Sequence, residues 1–154
     1  MGDLEPPATG KLSLTTNEFK IDGQSLVGTR LDYKRGAKGW AGIYWQYPDS
    51  NWGDKIGFSL VGAKRISFYA KGERGGEIVE FVSGGITGNP YPDRFRKTTG
   101  KVVLSTNWKK YTFDLSNLSE QQLSSVVGAF AWIASGGYDK DGRLITYIAD
   151  LKVE

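Results

Sequence analysis

Gly39–Gly53 reads GWAGIYWQYPDSNWG and holds three of the chain's five tryptophans (Trp40, Trp45, Trp52) together with Tyr44 and Tyr47. Read with period 2, Ala41, Ile43, Trp45 and Tyr47 fall on one side and Trp40, Gly42, Tyr44 and Gln46 on the other. That alternation belongs to a β-strand with one apolar face and one mixed aromatic and polar face. Pro48, Asp49, Ser50 and Asn51 break the strand, and Trp52 falls in the loop beyond.

The same alternation recurs on both sides of this stretch. Upstream, Lys11–Thr16 and Phe19–Ile21 read as short strands and Ser25–Tyr33 as a longer one. Downstream, Lys64–Lys71 places Ile66, Phe68 and Ala70 toward a core and Ser67, Tyr69 and Lys71 away from it. GERGG (72–76) reads as a hairpin turn. Glu77–Ser83 offers Val79 and Phe81 to the core, with Glu80 on the opposite face beside Ile78 and Val82. Residues 84–100 form a long loop carrying Tyr91, Asp93, Arg94, Phe95 and Arg96, and loops of that length in a compact domain are often functional. Strands follow at Lys101–Ser105 and Lys109–Leu115, with at most one helical turn in SEQQLSS (119–125). Val126–Ala134 is apolar on both parities, as expected of a strand covered on both faces. Ile145–Val153 is the last strand. About ten strands and no convincing helix predict an all-β, two-sheet antiparallel β-sandwich. Residues 1–10, with Pro6, Pro7 and Gly10, read as a linker or disordered tail, leaving 11–154 as one domain.

Composition agrees with that class. The chain has 154 residues, 21 glycines and 13% aromatic residues, and it is long enough to bury a core without disulfides. Its net charge of +3 comes from 20 basic and 17 acidic residues spread along the sequence, which argues against a nucleic-acid partner. No apolar run approaches the roughly 20 residues of a membrane span, so membrane insertion is not expected. Cysteine and histidine are both absent, which excludes thiol chemistry, imidazole bases and thiolate or imidazole metal sites. The remaining catalytic route is a pair of facing carboxylates. Glu77 and Glu80, three apart on a strand, point to opposite faces, and the expectation is a protein without enzymatic activity. GERGGE lacks the lysine and the following helix of a phosphate-binding loop.

Two uses compete for the aromatic side chains. Trp45, Trp108, Tyr111 and Tyr147 read as core filling. Tyr44 and Tyr69 fall on faces turned from the core, and Trp132 on one face of the doubly apolar strand. Sugar rings present apolar C–H faces edged by hydroxyls, so flat aromatic side chains flanked by amide, carboxylate and cationic groups suit them. Gln46, Lys71 and Glu80 supply such groups, and Trp52 and Arg94 could join from loops.

GWAGIYWQYPDSNWG, followed by LVGAKRISFYAKGERGGEIVEFVSGGI, LSTNWKKYTFDLSNL, VVGAFAWIAS and TYIADLKVE, resembles the galactose-binding-like jelly-roll domains that include many carbohydrate-binding modules. The likeness covers about residues 25–154. It implies a jelly roll that binds a β-linked polysaccharide or oligosaccharide without chemistry, with Tyr44, Gln46, Tyr69, Lys71, Glu80 and Trp132 on a concave sheet. It also implies an extracellular or cell-surface location within a longer secreted protein having neighbouring domains. Structural calcium is common in such domains, and Glu18 and Asp150 are the residues that would hold it here, although the usual ending is two aspartates and this chain has Ala149–Asp150. The alternative function is a structural or adhesion module that engages a protein partner.

Overall fold

A computed structural model describes residues 1–154 and contains nine strands and one short helix. In chain order they are β1 (Lys11–Ile21), β2 (Gln24–Lys34), β3 (Ala41–Gln46), β4 (Arg65–Gly72), β5 (Ile78–Gly84), β6 (Arg96–Val103), β7 (Lys109–Asp114), α1 (Glu120–Leu123), β8 (Gly128–Gly136) and β9 (Arg143–Val153). Five strands form one sheet in the order β1-β2-β9-β4-β7, and four form the other in the order β3-β8-β5-β6. Every pairing is antiparallel. The expected two-sheet sandwich of jelly-roll type is what the chain adopts.

The core lies between the sheets. Leu31, Tyr33, Ile66, Phe68, Phe113 and Leu144 enter from the five-stranded sheet and meet Ala41, Val79, Phe81, Phe130, Trp132 and Ala134 from the other. Phe68 sits at its centre, edge-on to Phe81 at 4.7 Å and to Phe130 at 4.9 Å between ring centroids. Each fully buried aromatic of this size contributes about 1.5–3 kcal/mol by leaving water, and the T-shaped contacts add to that. Period-2 alternation therefore identified the inward residues of β4 and β5, and Ala41 on β3, correctly; Trp45, expected in the core, is 36% exposed at the rim between the sheets. On β9 the inward set is Leu144, Thr146 and Ile148, so Tyr147 faces outward and is not the core residue expected.

Several boundaries differ from the sequence reading. The two short strands expected before residue 21 are one continuous strand, β1, paired with β2 from Lys11↔Lys34 to Ile21↔Gln24. Residues 72–76 do not close a hairpin: β4 and β5 belong to different sheets, and this segment crosses between them. The helical turn in SEQQLSS is α1, held by a capping box in which the Ser119 side chain accepts from the Gln122 amide while the Gln122 side chain accepts from the Ser119 amide.

The first residues are not a loose tail throughout. Gly2 bridges to Ala41, and Asp3 is fully enclosed. The Asp3 carboxylate accepts from the Tyr33 hydroxyl at 2.6 Å and from the amides of Gly36, Lys38 and Gly39 at 2.7–2.9 Å. Burial alone would raise its pKa. The Tyr33 hydroxyl and the three amides outweigh that, and the carboxyl lies below its ordinary range. Asp3 thus fixes the β2–β3 connection and the point at which β3 begins.

Candidate functional site

β3 is an edge strand, paired with β8 and bridged at Ala41 by Gly2, and its outward residues Tyr44 and Gln46 are half-buried on the side shared with β8, β5 and β6. The Tyr44 hydroxyl donates to the Gly84 carbonyl at 3.1 Å. Its ring meets the Trp52 ring edge-on, with centroids 6.2 Å apart and planes at 81°. Trp52 is 51% exposed, and Gln46 has an enclosed side-chain amide nitrogen without a hydrogen-bond partner. Across the same face, Glu80 on β5 accepts from the Thr98 hydroxyl and from Arg96 Nη2 at 3.4 Å, both on β6. Burial pushes the Tyr44 hydroxyl pKa up, Arg96 partly offsets this, and Asp93 and Glu80 push it further. Tyr44 is therefore a neutral phenol at physiological pH, suited to stacking and hydrogen bonding.

Two features outside the sheet hold Trp52 over this face. Asn51, 1% exposed, accepts from the amides of Gly53 and Lys55 and donates to the carbonyls of Tyr47 and Lys55, closing the loop after β3 on itself. This loop then crosses the segment after β5 at backbone contact. A Cβ on Gly53 would lie 2.2 Å from the Gly88 carbonyl oxygen, and one on Gly88 would lie 1.8 Å from the Trp52 carbonyl oxygen. Only glycines permit that approach. The long loop is tied down in turn by Asp93, whose carboxylate accepts from the amides of Ile86, Val127 and Gly128 at 2.6–3.1 Å. Burial raises its pKa, and the three amides oppose that rise without cancelling it.

The sequence-predicted set does not share one surface. Tyr44, Gln46, Glu80 and Trp52 come together on the outer side of the four-stranded sheet. Tyr69 and Lys71 lie on β4, on the outer side of the five-stranded sheet, because alternation shows that a residue faces outward without showing from which sheet. Trp132 is fully buried, edge-on to Tyr33 at 6.3 Å, and its indole N–H donates to the Thr146 hydroxyl at 3.2 Å. It is a core residue and leaves the predicted face, as β8 directs Phe130, Trp132 and Ala134 toward the opposite sheet. Arg94 is exposed in the long loop, where its carbonyl accepts from the Gln122 side chain at 3.4 Å, and Arg96 rather than Arg94 joins Glu80.

On the other outer face, Phe19, Trp108 and Tyr147 pack edge to edge with centroids 5.4–6.4 Å apart. Lys71 Nζ lies 5.1 Å from the Trp108 and Tyr147 ring centres, the Tyr147 hydroxyl donates to Glu73, and Lys110 Nζ lies 5.9 Å from the Tyr69 ring. Trp108 and Tyr147, expected in the core, therefore cover this face instead.

Glu18 and Asp150, the pair expected to hold calcium, lie on β1 and β9. In register, Glu18 stands opposite Val27, while Gly28 stands opposite Ala149, so β2 separates the two acids. Asp150 pairs with Lys152 at 3.4 Å.

Three depressions adjoin β3. One of about 320 Å³ is lined by Met1, Tyr44, Trp52 and Gly85–Gly88. Another of about 470 Å³ is lined by Tyr44, Trp45, Gln46, Asp49 and Ser50. The third, about 500 Å³, opens between the sheets, with Trp45 and Phe130 on one side and Val27, Ile148 and Leu151 on the other.

No protein-family model matches the sequence, and no curated protein matches it. Solved structures do match in fold. Two crystal structures of family 30 carbohydrate-binding modules are 18% and 16% identical, with TM-scores of 0.53 and 0.54, covering 93% and 92% of this chain and 73% and 83% of theirs. The family 11 carbohydrate-binding module from Clostridium thermocellum, solved with a β-1,3-1,4-mixed-linked tetrasaccharide, is 14% identical with a TM-score of 0.52, covering 99% of this chain and 92% of its own. The chain has the jelly-roll fold of these carbohydrate-binding modules.

Proposed function

We propose that this protein is a non-catalytic carbohydrate-binding module that holds a β-linked polysaccharide or oligosaccharide on the outer face of its four-stranded sheet. The observation that carries the reading is the exposed Trp52 set edge-on against Tyr44 beside an unpartnered Gln46 amide and the Glu80–Arg96 pair. Ring faces supply stacking, and the amide, carboxylate and guanidinium supply directional partners for hydroxyls. Modules of the same fold, one of them solved with a mixed-linkage tetrasaccharide, support the choice of ligand class. Binding of this kind fits a domain working outside the cell within a longer secreted protein. Tyr69, Lys71 and Trp132 take no part.

Retardation in native gels cast with soluble β-glucans, xylans and mannans tests the reading. Slowed migration in at least one polymer, lost on Trp52→Ala, is the expected result. Unchanged migration throughout the panel would remove the carbohydrate reading and favour a structural module with a protein partner.

A further inference from the structure

We infer that a single bent glycan chain follows β3 around its edge, from the Tyr44–Trp52 face into the groove between the two sheets. This rests on the carbohydrate reading above and extends it to a second surface. Tyr44 and Trp45 are consecutive on β3 and point to opposite sides of it, Tyr44 to the outer face and Trp45 to the groove. The three depressions form a series because they share residues. Tyr44 lines the first and second, and Trp45 lines the second and third. β3 is an edge strand bridged by Gly2 only at Ala41, so no further strand closes the path beside Tyr44 and Trp45.

The groove suits a sugar ring rather than a wholly apolar occupant. Trp45, 36% exposed and tilted at 47° against Phe130, forms an aromatic wall, with Val27, Ile148 and Leu151 opposite. Ser25, Thr29 and Asp150 add two hydroxyls and a carboxylate to the lining. Apolar walls with a few polar groups, in a space of about 500 Å³, match the general form of small-ligand sites. The β2–β9 pairing runs from Lys34 to Gly28 and stops there, so the groove opens where that ladder ends.

Geometry also restricts the linkage. A chain touching Trp52 and Trp45 must turn around the strand. A β-1,4-linked glucan is a straight ribbon and cannot do so, whereas a β-1,3-linked glucan curves. The ligand class is therefore a bent β-glucan, reaching the groove only when it is several units long.

Five tryptophans give five indole N–H signals in a nitrogen–proton correlation spectrum, assignable with single Trp→Phe variants. The test titrates the whole chain with β-1,3-linked glucohexaose, its disaccharide and β-1,4-linked glucohexaose. The expected result is that the β-1,3 hexamer shifts both Trp52 and Trp45, while the other two leave Trp45 unmoved. Trp45→Ala should weaken the β-1,3 hexamer about tenfold, the size of one lost stacking contact, and leave the disaccharide unchanged. Movement of Trp52 alone by the β-1,3 hexamer, or a β-1,4 hexamer moving both signals, would overturn the bent path and leave the proposed face intact. Movement of Trp45 alone would overturn both the path and the face. Silence of both signals toward all three sugars would overturn the path, and whether the face falls with it is read separately from the gel panel.

Discussion

The sandwich has aromatic side chains on both outer faces, and the two sets differ in what is left free. On the five-stranded sheet, Phe19, Trp108 and Tyr147 present edges to one another, Lys71 sits near two of the rings, and Glu73 takes the tyrosine hydroxyl. Their polar and aromatic surfaces are already used. On the four-stranded sheet, Tyr44 is anchored through its hydroxyl, but Trp52 stands half in solvent and the Gln46 amide nitrogen has no partner. Aromatic content alone does not distinguish a cover from a binding surface; unused capacity does. A cover lowers the free energy of the folded chain, while a binding face keeps contacts in reserve for a ligand.

The largest expected effect comes from breaking the support of the proposed binding face. Asp93→Ala leaves three buried amides without an acceptor, and urea unfolding should report a loss of about 3 kcal/mol, along with weaker polysaccharide retention because the loop crossing Gly53 is freed. Trp108→Ala on the covered face should cost about 2 kcal/mol of stability and leave gel retardation unchanged; loss of retardation would reverse the roles assigned to the two faces. Trp52→Ala should behave oppositely, weakening affinity about tenfold, or about 1.4 kcal/mol, with little change in melting temperature. Calorimetric titration and thermal melts of the same pair separate these outcomes.

The smallest effect sharpens the account of how β3 is positioned. The Asp3 pKa is lowered in the folded chain, so its ionised form stabilises the fold above the ordinary value of 3.8 and that contribution is lost as pH falls below it. Thermal melts between pH 6 and pH 2.5 should therefore show Asp3→Asn less stable than the parent at the upper end, with the gap narrowing by a few degrees at the lower end. A constant gap would assign Asp3 a packing role without a charge.

How far these features could be read in advance depends on their range. Inward positions such as Ile66, Phe68 and Phe81 follow from alternation, a property of neighbouring residues. The grouping of Tyr44 with Tyr69 failed because sheet membership is decided by crossings such as residues 72–76, which no local pattern encodes. Trp132 shows the related limit. Its strand is apolar on both parities, so periodicity alone could not say which side meets the opposite sheet. Asp3 and Asp93 were missed as positioning residues for the same reason, since both bind amides more than 30 residues away. Asn51 carried a local signal: an Asn within PDSN, after a strand and two residues before a glycine, is suited to closing a loop through its side chain.

The contact between Gly53 and Gly88 has a consequence for variation. It fixes the spacing of two loops while placing no demand on most of the side chains they carry. Asp49, Ser50, Asp54, Thr87 and Asn89 are all exposed. A combinatorial library that randomises Asp49, Asp54, Thr87 and Asn89, keeps Asn51, Gly53, Gly88 and Asp93, and leaves Ser50, whose φ is 60°, unchanged would vary the proposed binding face without disturbing the crossing.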